Sequence, residues 1–192
     1  DSRLTLAILP NTPYGTETAQ RALELGFEVM LHMPMQNGKS HYPGELQTGM
    51  DAQTIRELTL QAVNQIPGAS GANNHTGTTF TRYRPGIEAF MDVMADLGWF
   101  FVDSRTVTNS IAFTVAVEKG IPTLNREIFL DHENTATYIN RQFVALIALA
   151  RKNGQALAIG HFRPITVHAL KAWIPKLERE EIDLVHVSEL LP

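Results

Sequence analysis

Cysteine is missing from all 192 residues, and that one absence removes disulfides, thiolate metal sites and cysteine nucleophiles together. Any metal chemistry here must rest on imidazole and carboxylate groups. Long apolar runs are missing too, since nothing approaches the roughly 20 consecutive apolar residues of a membrane-spanning helix. Lysine and arginine total 16 against 20 aspartates and glutamates, for a net charge of −4. With no basic cluster, the electrostatic footprint of a nucleic-acid binder is lacking. No GxxxxGK[ST] loop and no strand-following GxGxxG occurs, and His132-Glu133 has no second histidine at zincin spacing. Gly68-Ala69-Ser70-Gly71-Ala72 lacks the last glycine of a nucleophile elbow. Nucleotide binding and serine hydrolysis therefore have no support.

What is present is ordinary for a folded chain: 44% hydrophobic and 19% charged residues, and enough length for one domain with a sizeable core. Residues 1–192 read as a single domain, with no linker, repeat or low-complexity segment. The chain opens on Asp1-Ser2-Arg3 without a methionine and enters an apolar run at once, which reads as a processed or truncated start.

Apolar runs at 4–9, 27–33, 99–102 and 156–159 predict buried strands. A short strand is expected at 69–74, another within 121–130, and a last one at 183–187. Helices are expected from Thr16 to a stop at Gly26, from an Asp51 cap through Gln65, over 86–97, 110–119, 135–153 and 165–179, with Gly98, Gly120 and Gly154 as stop signals. Strands alternating with helices in this way predict an α/β fold built on a parallel sheet, either open and doubly wound or closed as a barrel.

One stretch departs from this pattern. Residues 71–81, Gly-Ala-Asn-Asn-His-Thr-Gly-Thr-Thr-Phe-Thr, pack amides, an imidazole and hydroxyls between two helical patterns and read as too polar for a core strand. They read instead as a site or as a self-capped loop. In parallel α/β folds ligands bind at the carboxyl ends of the strands. His32, Asn73, Asn74, His75, Asp103, Arg105, Asp131 and His161 all lie at or just beyond such ends, so the fold is expected to gather them. Two imidazoles, a carboxylate and an open position form a ligand set of the catalytic-zinc kind. A further histidine outside the metal shell suits proton transfer to a leaving amine. His41, His168 and His186 read as structural or solvated.

Five ordered phrases carry a resemblance: Leu31-His32-Met33-Pro34-Met35, Gly71-Ala72-Asn73-Asn74-His75-Thr76-Gly77, Phe100-Phe101-Val102-Asp103-Ser104-Arg105-Thr106, Asn125-Arg126-Glu127-Ile128-Phe129-Leu130-Asp131 and Ile159-Gly160-His161. In that order they resemble the divergent polysaccharide deacetylases, the YibQ-like proteins, within the NodB-like carbohydrate esterases. The resemblance implies a distorted (β/α) barrel of about seven strands and a divalent metal, zinc by preference. It also implies removal of acetyl groups from N-acetylated sugars of a polysaccharide or oligosaccharide, in a periplasmic or other extracytoplasmic setting. Carried over by motif, it makes His32 and His75 metal-site residues, His161 the catalytic acid, and Asp103 and Arg105 catalytic-site groups that orient or contact the substrate. Asn73 and Asn74 are expected to orient His75 or to contact sugar, and Arg126 and Asp131 to contact substrate. Two departures accompany it. Members of the family begin with a strand ending in Asp-Asp, whereas this chain starts at the equivalent of the second strand, and Gln36-Asn37 stands where an acidic residue is usual. The implied alternatives are an enzyme whose aspartates precede Asp1 and an inactive carbohydrate-binding or envelope-scaffold relative.

Overall fold

The computed structural model describes residues 1–192, which form two compact units, residues 1–125 with 186–192, and residues 126–185. The first is built on five parallel strands in the order β1-β2-β3-β4-β5: Thr5–Ile8, Glu28–Met35, Gly71–Thr76, Phe100–Asp103 and Thr123–Asn125. Each strand pairs with its sequence neighbour and the order never reverses, so there is no switch point of the doubly wound kind. Right-handed crossovers then place helices α1 (Gly15–Glu24), α2 (Ala52–Gln65), α3 (Arg84–Leu97) and α4 (Ala112–Glu118) on one face of the sheet.

Side-chain alternation divides the work of the two faces. Leu31, Met33, Met35, Ala72 and Phe101 are fully buried and pack with Ile55, Ile87, Phe90 and Met91 of the helices. Their neighbours His32, Asn73 and His75 point to the opposite face, because parallel register sets His32 beside Asn73 and Pro34 beside His75. Gly71 is a packing requirement: a Cβ there would lie 2.5 Å from the Phe100 ring on the neighbouring strand.

The helix ends follow the expected chemistry with one exception. Asp51 caps α2 by accepting from Thr54 N–H at 2.7 Å, and Gly98 leaves α3 in the left-handed region at φ 65°. Thr16, expected as a cap, lies inside α1 and donates its hydroxyl to the Gln65 carbonyl at 2.8 Å. It ties α1 to α2 instead.

Three strand expectations are corrected. The 71–81 stretch does contain a core strand: β3 runs through His75 and Thr76 and is the middle strand of the five. The single strand expected within 121–130 is two short ones, β5 in the five-stranded sheet and β6 (Ile128–Phe129) outside it. No strand forms at 183–187. His186 begins a 3-10 turn over Val187–Leu190, where its Nε2–H donates to the Ser2 carbonyl at 2.8 Å and Val187 N–H donates to Thr5 Oγ1 at 2.9 Å. The carboxyl-terminal residues thus fasten the start of β1.

The second unit pairs β6 with β7 (Ala158–Ile159) in parallel and covers them with α5 (Ala136–Asn153) and α6 (Pro164–Arg179). Thr135 caps α5 through Tyr138 N–H, and Leu130, Ile139, Phe143 and Ala169 form its small core. No helix of the chain is long and apolar enough to cross a membrane.

Phe101 tests the larger core, since it is fully buried and meets Phe90 edge-on at 5.8 Å. Phe101→Ala is expected to cost about 3–5 kcal/mol, seen as a lower urea midpoint at an unchanged slope.

Candidate functional site

Strand register alone brings the first two candidates together. His32 Nε2 and His75 Nδ1 lie 2.9 Å apart, with ring centroids 4.7 Å apart and the rings 71° from parallel. On the far side of the first ring, His32 Nδ1 lies 2.7 Å from Asn73 Oδ1. Tyr42, from the loop after β2, sets its ring edge-on to His75 at 4.4 Å. That loop is pinned to the end of β2 by Leu46 N–H donating to the Pro34 carbonyl and Gln36 N–H donating to the Leu46 carbonyl, both at 2.9 Å.

The pair can be tested against a metal. Two nitrogens bound at about 2.0–2.1 Å to one tetrahedral zinc stand about 3.3 Å apart, so the observed separation needs only a few tenths of an ångström of adjustment. Asn73 occupies the place of an outer partner that aims a ligating imidazole. The donors fit two positions of such a centre. No group of three or more His, Cys, Asp or Glu side chains able to hold a metal occurs in the chain.

Behind the pair, the ends of β3 and β4 are knitted by amides and a hydroxyl. Asn74 is 1% exposed, and its Oδ1 accepts Ser104 N–H at 2.8 Å while its Nδ2 donates to the Thr76 carbonyl at 2.7 Å. Asn74 therefore serves the turn, with almost none of its surface open to solvent. Thr76 has φ 56°, in the left-handed region that a β-branched residue rarely enters. Its hydroxyl donates to the Met35 carbonyl and its carbonyl accepts from Thr106 Oγ1. Strain of this kind costs about 1–3 kcal/mol and persists only where the surroundings impose it. Arg105 shares the conformation at φ 49°. Asp103, expected as a catalytic group, has no exposed surface. Its Oδ1 accepts Arg105 N–H at 2.8 Å and its Oδ2 accepts the Ser110 hydroxyl at 2.7 Å, so it shapes the β4–α4 turn and presents Arg105.

The second unit holds a separate pair. Asp131 is fully buried, with Oδ1 3.1 Å from His161 Nδ1 and Oδ2 accepting His161 N–H at 2.9 Å and Thr166 Oγ1–H at 2.8 Å. A carboxylate can only accept, so Nδ1 of His161 carries the proton and Nε2 is the atom turned outward. The histidine side chain is 50% exposed. Asp131, expected to touch substrate, is instead the group that orients His161. Arg126 lies over the Phe129 ring at 5.1 Å, and Phe129 in turn lies 5.5 Å from the His161 ring.

The model of the divergent polysaccharide deacetylases matches residues 1–191. The chain belongs to that family. Two relatives agree: an uncharacterized protein of Haemophilus influenzae, 38% identical over 97% of this chain and 67% of its own length, and the uncharacterized protein YibQ of Escherichia coli K12, 36% identical over 99% and 60%. The chain thus spans about two thirds or less of these relatives. A crystal structure of an uncharacterized protein from Agrobacterium tumefaciens C58 superposes with a TM-score of 0.95 over 98% of this chain and 78% of that one, at 24% identity. It shares the fold.

Within this family member, Ser104 and Phe129, which the motif phrases contain, and Thr166, on α6, are residues that sequence reasoning assigned no part. Only Ser104 gave a signal, by following Asp103 at a strand end. The Asp131–His161 pair yields a direct test. In Asp131→Asn one oxygen becomes a donor facing groups that already donate, which is expected to cost about 1–3 kcal/mol and to move the His161 proton from Nδ1. Thermal unfolding with imidazole nitrogen NMR reads both effects, and unchanged stability with an unchanged Nδ1–H would contradict this role for Asp131.

Proposed function

We propose that this chain is the catalytic region of a metal-dependent hydrolase that removes acetyl groups from N-acetylated sugars of a cell-envelope polysaccharide, working outside the cytoplasm. The observation that carries the reading is the convergence of His32 Nε2 and His75 Nδ1 at 2.9 Å on neighbouring strand ends, in a chain of the polysaccharide deacetylase family. A distorted barrel of about seven strands is the architecture that goes with it. A divalent metal, zinc by the preference of imidazole ligands, would be held by His32 and His75 and would supply carbonyl polarisation and a more acidic bound water.

The residues of the chain account for the rest. Asn73 holds His32 by its second nitrogen, and Tyr42 limits the movement of the His75 ring. His161 exchanges a proton at Nε2 with the departing sugar amine while Asp131 keeps Nδ1–H fixed and stabilises the charged ring. Arg105, its backbone N–H held by Asp103 in the left-handed region, is assigned to orienting or contacting the substrate. Arg126 beside Phe129 offers a cation and an apolar face of the kind that sugar rings stack on.

A second reading has one observation behind it. Two imidazoles with no third His, Cys, Asp or Glu in the group suit a non-catalytic sugar-binding or scaffold protein equally well. Metal content and acetate release separate the two readings. Purified wild type is expected to hold zinc and to free acetate from N-acetylated oligosaccharides, and His75→Ala to lose both. His161→Ala is expected to keep zinc while turnover falls about 10²–10⁴-fold. Equal zinc in wild type and His75→Ala would overturn the enzyme reading, and oligosaccharide binding without acetate release would establish the second.

A further inference from the structure

We propose that Ser104, acting through Asn73, sets the tautomer of His32, so that the neutral imidazole offers an unprotonated Nε2 toward His75. The argument is a sequence of obligatory donors and acceptors. Ser104 Oγ lies 2.9 Å from the Asn74 carbonyl oxygen. A carbonyl can only accept, so the single hydroxyl proton is used there. Toward Asn73, at 3.2 Å, the same oxygen must therefore accept, and the Asn73 side chain must present its NH2 end to it. That turns Asn73 Oδ1 to His32. At 2.7 Å from Nδ1, an amide oxygen again can only accept, so Nδ1 carries the proton and the neutral ring is left with its lone pair on Nε2.

Two features make the sequence of bonds dependable. Asn73 is 5% exposed and Ser104 3% exposed, so bulk water does not compete for these positions. Ser104 N–H also donates to Asn74 Oδ1 at 2.8 Å, which fixes the serine against β3 by a second bond of its own. Without a cation, His75 Nδ1–H can donate to the lone pair of His32. With a cation, the same lone pair is the ligand, and this last consequence rests on the metal reading proposed above. A ring with its proton on Nε2 could do neither. Ser104, the first residue after β4, and Asn73, on β3, are thus positioning residues for a histidine on β2.

The test is nitrogen NMR of the uniformly ¹⁵N-labelled chain at about pH 8, above the ordinary imidazole range. In the metal-free wild type, His32 Nδ1 is expected at the protonated shift and Nε2 at the unprotonated one. Ser104→Ala removes the acceptor that orients Asn73 and is expected to raise the Nε2–H form to a measurable minority, with zinc affinity falling about 10–100-fold. The double variant Asn73→Asp, Ser104→Ala is expected to restore the wild-type tautomer, because a carboxylate has no donor end to misplace. An Nε2–H tautomer in the wild type overturns the proposal, as does a Ser104→Ala variant with wild-type tautomer and wild-type zinc affinity. Should Ser104→Ala fail to fold, the wild-type spectrum alone decides. A wild type with the expected tautomer that binds no zinc supports the relay and sinks the metal reading instead.

Discussion

The pairing of β2 with β3 is the constraint on which the rest of the site depends. Parallel register places His32 beside Asn73 and Pro34 beside His75, and everything polar at these strand ends follows from that alignment. Because side chains alternate with period two, a slip of one residue would carry His32 or His75 to the face packed by α2 and α3. The register is held from that other face by Leu31, Met33 and Met35, all without exposed surface. Burial of apolar side chains on one side of the sheet thus fixes imidazole positions on the other.

A polar strand in the middle of a sheet would be costly if its side chains lacked partners. β3 avoids that cost by satisfying its amides locally: Asn73 with His32 and Ser104, Asn74 with Ser104 and Thr76. Left-handed Thr76 ends the strand immediately after His75, and three hydrogen bonds at that residue hold the turn. The second unit applies the same economy on a smaller scale, where one buried carboxylate, Asp131, binds two groups of His161 and the hydroxyl of Thr166.

Much of this organisation was legible in the sequence, for identifiable reasons. The α/β alternation, the Asp51 cap and the stops at Gly98 and Gly154 follow from local chemistry that tertiary structure did not override. His32, Asn73 and His75 could be assigned to one place because strand ends in a parallel sheet share an edge, and they do meet. The 71–81 stretch reads as unfit for a core strand because hydropathy counts each side chain alone, whereas Asn73 and Asn74 find partners in His32 and Ser104, 30 or more residues away. The same limit hid the part played by Asp131, whereas Asp103 has the orienting geometry that was one of its two expected roles. A strand-end aspartate looks the same in sequence whether it faces substrate or is consumed by backbone N–H groups. At 183–187 apolar character suggested a strand, but His186 and Val187 found partners in Ser2 and Thr5 about 180 residues earlier.

The family membership and the fold leave one claim at the centre: that His32 and His75 are a pair of ligands and more than a hydrogen-bonded pair. Crystals of the chain soaked in zinc and measured at the zinc absorption edge would test it most directly. The account predicts one strong anomalous peak bonded to His32 Nε2 and His75 Nδ1 at about 2.0–2.1 Å, with Asn73 still on His32 Nδ1. Full zinc occupancy elsewhere, with the two imidazoles still bonded to each other, would contradict it.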